Sequence, residues 1–211
     1  MTKEKTYPIF IGVFIFIVFI AFSYLVHKNL FTSLDFDTTV RIQDHLISRR
    51  FDTPFSLFSL LGSFEIVSVI LLILIAFLRK LKAVFILLSF VSIHFLELFG
   101  KVFVTHPGPP YLFFRYDIPF QFPTSYVQPG SSYPSGHLAR TAFISTLIML
   151  LVFRSKKLTQ MQKYIVLFFV LVFDLTMFVS RIYLGEHWLS DVIGGSILGA
   201  AIGLLSVVFL L

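Results

Sequence analysis

Long apolar runs alternate with short polar stretches along most of the chain. Six runs stand out, at residues 8–26, 59–78, 83–104, 135–153, 164–183 and 188–211. Each approaches or exceeds the ~20 residues that a helix needs to cross ~30 Å of hydrocarbon. Hydrocarbon offers backbone groups no partner, so each run is expected to satisfy them internally as a helix. A closed barrel would need ten-residue strands of alternating polarity, and these runs do not alternate. The pattern predicts an all-α, polytopic membrane protein, a six-transmembrane helix bundle forming a single domain over residues 1–211.

Between the runs, two segments differ from ordinary connections. Residues 35–50 place Phe36, Val40 and Ile47 among charges, which predicts a short helix. It lies either at the membrane interface or in an ordinary loop. Residues 106–134 carry Pro107, Gly108, Pro109, Pro110, Pro119, Pro123, Pro129 and Gly130, which exclude a regular helix there. The same segment holds Tyr111, Phe113, Phe114, Tyr116, Phe120, Phe122, Tyr126 and Tyr133, rings suited to the headgroup level. A long loop of this kind is commonly a lid or an entry site.

Composition agrees with this picture. Of 211 residues, 57% are hydrophobic and only 13% are charged, with a mean hydropathy of +0.91. A soluble domain carries about 25% charged residues. The net charge of +6 does not point to nucleic acid, because the basic residues sit in short loops where topology explains them. With the N-terminus inside, the inner segments hold Lys3, Lys5, Arg79, Lys80, Lys82, Arg154, Lys156, Lys157 and Lys163. The outer ones hold Lys28, Arg41, Arg49, Arg50 and Arg115. Both termini are therefore expected inside, and residues 106–134 outside. No cysteine is present, which excludes disulfides and thiolate metal sites. The first run is the length of a full span and no small-x-small cleavage site follows it, so it is not expected to be a cleaved signal.

Three clusters of reactive residues fall on the predicted outer side. Lys101 ends the third run and is followed by His106-Pro107-Gly108-Pro109-Pro110. Pro134-Ser135-Gly136-His137 opens the fourth. Ser180-Arg181, then His187, then Asp191 join the fifth to the sixth. His187 and Asp191 are one helical turn apart, so the carboxylate can accept the N–H of one imidazole nitrogen and leave the other free to attack. A helix-end pair without chemistry has the same spacing. Arg181 offers a planar fork of donors for phosphate oxygens. Free N–H groups at the start of the fourth span bind anions, and Gly136 lets the backbone approach closely. His137 beside that anion can protonate a leaving oxygen. Ser135 alone would be a plain helix cap. Taken together, the set supplies a nucleophile, an acid and a charge clamp for phosphoryl transfer.

These clusters resemble the type 2 phosphatidic acid phosphatase superfamily. That group includes lipid phosphate phosphatases, undecaprenyl diphosphate phosphatases, phosphatidylglycerophosphatases of one class and the soluble vanadium haloperoxidases. Its Pro-Ser-Gly-His and Ser-Arg…His…Asp motifs match at Pro134-Ser135-Gly136-His137 and at Ser180, Arg181, His187 and Asp191. The resemblance spans about residues 35–211. It implies His187 as nucleophile through a phosphohistidine, Asp191 orienting it, and His137 protonating the leaving group. It also implies Lys101, Ser135, Gly136 and Arg181 holding the phosphate, with no metal or other cofactor. The substrate expected is a lipid phosphate or diphosphate of the undecaprenyl diphosphate, phosphatidic acid or phosphatidylglycerophosphate class. The expected partners are membrane lipids; the oligomeric state is not legible. In a bacterial source the membrane would be the plasma membrane, with the site on its non-cytoplasmic side.

One motif departs from the family pattern. Where the family has Arg-Pro after six residues beyond its lysine, this chain has Gly108-Pro109. Arg115 in the aromatic loop and Arg140, three residues after His137, are candidates to replace the lost arginine. An intramembrane arginine costs ~2.5–3.5 kcal/mol by insertion scales, so Arg140 is expected to have either this task or an ion-pair partner, Glu97 or Asp174. His94, Glu97 and Lys101 form a polar stripe, with Glu97 and Lys101 in the favourable i, i+4 order. Glu65, Glu97 and Asp174 are expected to pair between helices. Three alternatives stand beside the phosphatase: a lipid phosphotransferase, a non-catalytic lipid-binding protein on the same scaffold, and a transporter. The last predicts inverted repeats, and none is visible.

Overall fold

The computed structural model describes residues 3–46, 48–79, 81–122 and 131–210. Ile47, Lys80, Leu211 and the loop residues Pro123, Tyr126, Pro129 and Gly130 lie outside the described residues. The described residues are helical almost throughout. The main elements are α1 (Lys3–His27), α2 (Thr32–His45), α3 (Asp52–Ser59), α4 (Phe64–Leu78), α5 (Ile86–Phe103), α6 (Gly136–Arg154), α7 (Gln160–Tyr183), α8 (Leu189–Leu205) and α9 (Val207–Leu210).

Five stretches, Thr6–His27, Leu81–Phe103, Gly136–Arg154, Gln160–Tyr183 and Leu189–Leu210, are long and apolar enough to cross a membrane. A sixth arises from Arg49–Gly62 and Phe64–Leu78 taken together, bent by 48°. The second apolar run thus corrects in one respect. The expected span from residue 59 to 78 is not one straight helix, because Ser63 breaks it. Ser63 adopts an extended backbone and caps α4, its hydroxyl accepting from the Ile66 amide at 3.3 Å. That capping geometry is incompatible with helix running through it.

Polarity is inverted relative to a soluble bundle. Phe10, Phe14, Phe77, Leu88, Phe95, Phe168 and Phe169 are exposed on the outer surface. Asp35, Ser59, Glu97, Arg140, Arg181 and Asp191 are buried. This is the expected partition when hydrocarbon is the solvent. The centre of the bundle is the pair α6 and α8, with α1 packed against α8. They approach closely because α8 presents glycines. A Cβ on Gly195 would collide with the Ser135 carbonyl, one on Gly199 with the Ala139 carbonyl, and one on Gly203 with Thr146. Small residues of this kind let membrane helices make backbone contact.

The predicted helix in residues 35–50 exists as α2, and its orientation is informative. Its buried positions are Asp35, Thr39 and Gln43, while Phe36 is exposed and Val40 half-buried. The polar face turns inward. Gln43 donates from one amide nitrogen to the carbonyls of Phe113 (2.7 Å) and Tyr183 (2.8 Å), pinning α2 to the aromatic loop and to the end of α7. The aromatic loop itself has a short 3₁₀ turn at Tyr111–Phe113 and an isolated antiparallel bridge between Pro107 and Ser131.

Candidate active site

Helix ends set the site. Ser135 lies just before α6 in an extended conformation, and its amide donates to the Asp191 carbonyl at 3.0 Å. The Pro-Ser-Gly-His segment is therefore fastened to the first turn of α8. At that turn, Asp191 Oδ2 accepts the Trp188 amide at 2.9 Å, so the acidic side chain also caps its own helix. Between α7 and α8, Gly185 takes φ +68°, and a Cβ there would collide with the Phe113 backbone. Only glycine fits this turn cheaply. It carries Arg181 on one side and His187 on the other.

His187 Nδ1 lies 3.4 Å from Asp191 Oδ2. The histidine is 12% exposed and the carboxylate fully buried, so the pair is formed where solvent does not screen it. His137 sits at the first turn of α6, within electrostatic reach of Arg181, Arg140, His187 and Lys101. Its ring also faces Gly62: a Cβ on Gly62 would stand 3.2 Å from the His137 ring. The three sequence clusters are thus brought together at one end of the bundle.

The cations carry internal partners. Arg181 donates to Ser59 Oγ at 3.0 Å and pairs with Glu186. Lys101 Nζ is 2.8 Å from Glu97 Oε1, the predicted i, i+4 pair. Arg140 NH1 reaches Glu97 Oε2 at 3.2 Å, and its Nε donates to the Gly62 carbonyl at 3.0 Å. His94 Nδ1 lies 3.6 Å from the same carboxylate. Glu97 therefore gathers Lys101, Arg140 and His94, and it rests against Gly136, where any Cβ would strike it. Asp174 accepts instead from Ser145 Oγ at 2.7 Å. Glu65 acts electrostatically on Arg140.

Arg115 has a different duty from the one its sequence position suggested. It donates to the carbonyls of Leu46 (3.2 Å) and Gln43 (3.5 Å) and to Tyr183 Oη (3.3 Å), and it lies over the Tyr183 ring. These bonds tie the aromatic loop to α2 and commit the guanidinium away from His187 and His137. Of the two candidate replacements, Arg140 is the one whose charge acts on His137, as does that of Arg181.

Several site residues lie outside the matched motifs, although His106 belongs to the first reactive cluster. Asp35 on α2 accepts Ser190 N (2.8 Å) and Ser190 Oγ (2.8 Å). Burial holds its carboxyl above the usual carboxylate range, against the lowering effect of those two bonds. His106 Nε2 meets Ser190 Oγ at 3.0 Å. Tyr116 bonds to Ser59 and faces Arg181 and Glu186; burial and the Glu186 charge push its phenol up. Glu186 was findable as the neighbour of His187, whereas Asp35, Ser59 and Tyr116 come from distant segments that only folding brings near. Buried Ser135 Oγ and Arg181 Nε have no hydrogen-bond partner among the described residues. Among those residues, no group of three or more His, Cys, Asp or Glu side chains is arranged to hold a metal ion.

The chain resembles two solved structures. One is a transmembrane PAP2-type phosphatidylglycerolphosphate phosphatase from Bacillus subtilis, 22% identical, covering 94% of each chain with a TM-score of 0.75. Another is LpxE from Aquifex aeolicus, 27% identical, covering 82% of this chain and 94% of that one with a TM-score of 0.58. No curated protein matches the chain. The family model of the PAP2 superfamily matches residues 79–211, which include Lys101, both motif histidines and Asp191. With the fold and the family model in agreement, the chain belongs to the PAP2 superfamily.

Proposed function

We propose that this membrane phosphatase hydrolyses a lipid phosphate or diphosphate through a phosphohistidine on His187. A lipid phosphatase is the activity that superfamily membership and the two structural relatives support. The observation that carries the finer reading is the arrangement at the end of the bundle. Asp191 engages Nδ1 of His187. Nε2 is then the nucleophilic atom, at a place where Ser135 Oγ and Arg181 Nε are buried without partners and where α6 presents its first free amides. Buried polar groups without partners call for a ligand or a strain explanation, and a phosphate accepts from all of them.

In the proposed step, Nε2 of His187 attacks phosphorus, the bond to the leaving oxygen breaks, and His137 gives that oxygen a proton. Water then attacks phosphorus while His137 takes its proton, the bond from phosphorus to Nε2 breaks, and inorganic phosphate leaves with both histidines restored. Arg181, Lys101 and the α6 amides stabilise charge on the equatorial oxygens, a role that preorganised donors fill well in a site shielded from water. Among the substrates, undecaprenyl diphosphate, phosphatidic acid and phosphatidylglycerophosphate share this chemistry.

The test is phosphate release from a panel of those three lipids in detergent. His187→Ala is expected to abolish release, and His137→Ala to slow it by roughly two to four orders of magnitude for an ester leaving group. Activity is expected to persist in EDTA, because cationic side chains and helix amides supply the charge clamp. Turnover by His187→Ala at the wild-type rate refutes the mechanism. Transfer of phosphate to an added alcohol in place of release to water would make the chain a phosphotransferase.

A further inference from the structure

Behind His187 lies a second layer that the motifs do not include. Asp191 uses Oδ2 for His187 Nδ1 and for the Trp188 amide. Its other oxygen, Oδ1, is buried and has no hydrogen bond among the described residues. The group facing Oδ1 is His106 Nε2, at 3.5 Å. His106 is 5% exposed and its Nε2 is also 3.5 Å from Asp35 Oδ2 and 3.0 Å from Ser190 Oγ.

The hydrogen bonds decide which nitrogen of His106 bears a proton. Ser190 Oγ has one hydrogen, and it goes to Asp35 Oδ2 at 2.8 Å. Toward His106 the hydroxyl can therefore only accept. Nε2 must carry N–H, hydrogen-bonded to Ser190 Oγ at 3.0 Å, with the carboxylate oxygens Asp191 Oδ1 and Asp35 Oδ2 each at 3.5 Å from the same nitrogen. The backbone holds the ring there. The His106 carbonyl accepts the Ser132 amide at 3.0 Å, and Trp188 Nε1 donates to the Pro107 carbonyl at 2.7 Å. A separation of 3.5 Å is long for a full hydrogen bond. Such contacts tighten when charge develops on the group they serve, here on His187 as it takes up phosphorus.

We propose that His106 is a positioning residue for His187: acting through Asp191, it fixes the carboxylate that sets the plane of the nucleophile, while Asp35 and Ser190 fix its own tautomer. The inference rests on the reading of His187 as nucleophile. It extends a two-membered His–Asp pair into a chain from α2 through the loop after α5 to α8. Outer partners of metal-bound histidines fix the ring in the same way, and their loss costs roughly ten- to a hundred-fold, the scale expected for a reacting histidine.

Asp35 gives the chain a specific signature. In Asp35→Asn the amide nitrogen becomes a donor facing Ser190 Oγ, so the hydroxyl turns its hydrogen to His106 Nε2. That nitrogen then needs a lone pair and loses the N–H that faces Asp191. Asp35→Asn, though nearly isosteric, is thus expected to behave like loss of His106.

The experiment uses the full-length chain in detergent with a short-chain phosphatidic acid. The variants are His106→Leu, His106→Gln, Asp35→Asn and His187→Ala. Inhibition by orthovanadate, which takes a fifth ligand from the nucleophile, is compared with inhibition by inorganic phosphate, which does not. His106→Leu and Asp35→Asn are expected to lower kcat roughly ten- to a hundred-fold. KM should stay within about threefold, the pattern of an interaction used only in the transition state. His106→Gln, which keeps an N–H donor, is expected to recover part of the loss. Vanadate inhibition should weaken with kcat while phosphate inhibition holds. If His106→Leu does not fold, the two milder variants decide. A kcat within about twofold of wild type in His106→Leu or Asp35→Asn overturns the proposal. Equal weakening of vanadate and phosphate also overturns it, because His106 would then belong to the phosphate cradle. If His187→Ala is inactive while these variants are normal, only this inference falls. Turnover by His187→Ala removes the reading beneath it.

Discussion

Of the two tasks expected of Arg140, the structure shows the ion pair, and a contact with phosphate is left to experiment. Its NH1 is paired with Glu97 and its Nε holds the Gly62 carbonyl, so part of its work is to join α6 to α5 and to the turn before α4. Its charge also acts on His137, and Gly108 leaves the usual motif arginine absent. We predict that Arg140→Ala lowers stability on the order of 3–5 kcal/mol, because it strips a buried carboxylate of a partner. Arg140→Lys separates the two roles. A lysine can still pair with Glu97, yet it cannot place a planar fork on phosphate. If Arg140 contacts phosphate, Arg140→Lys keeps its thermal midpoint and loses most of its turnover, and adding Gly108→Arg restores some of it. Full phosphate release by folded Arg140→Lys would show a purely structural arginine. The Glu97–Lys101 pair was legible because one helix turn separates its members. The cross-chain partners were not legible. Asp35 meets Ser190 across 155 positions, and Arg115 turns to α2 rather than to the histidines, for reasons that lie in the packing of α2.

Helix boundaries followed the apolar runs only in outline: α7 starts four residues ahead of the run at 164, because Thr159 caps it with a reciprocal bond to Gln162. They failed at Ser63, where a capping serine sits inside an apolar run and hydropathy does not register it. The facing of α2 was not settled by its sequence. The sequence left open whether its apolar positions meet membrane or protein; Phe36 is exposed and Val40 half-buried, and the polar stripe Asp35, Thr39 and Gln43 is the side that packs on protein. The glycines of α8 matter at the same scale. Gly195 and Gly199 meet the backbone of the segment that carries Ser135 and His137, so they set the distance between α6 and α8. Gly199→Ala would force its Cβ onto the Ala139 carbonyl, and backbone cannot rotate aside as a side chain can. We predict a loss of roughly 1–3 kcal/mol in stability. Turnover should fall further than stability accounts for, since small misplacements of reacting groups cost about a hundred-fold. Thermal midpoint and phosphate release on the same sample test this. An unchanged midpoint in Gly199→Ala would mean that α6 and α8 separate freely.

At the scale of the whole molecule, the question is which face of the membrane the site meets. The helix order places the ends of α5 and α7 and the starts of α6 and α8 on one side. The turns near Arg79 and Lys82 and between Arg154 and Gln160 lie on the other. Basic residues favour the cytoplasmic side, and the second set of turns is the richer in them. The site is therefore predicted to open away from the cytoplasm, toward a headgroup in the opposite leaflet. The absence of cysteine makes this easy to measure, since each introduced thiol is the sole target. Leu112 in the aromatic loop is 88% exposed, so Leu112→Cys presents an accessible thiol without opening the core. Lys157→Cys, between α6 and α7, is its counterpart on the other side. In intact cells an impermeant maleimide should label Leu112→Cys and leave Lys157→Cys untouched until lysis. The reverse pattern would put the site at the cytoplasmic leaflet. It would then require the lipid phosphate to be presented from inside, while leaving the proposed chemistry at His187 and His137 unaffected.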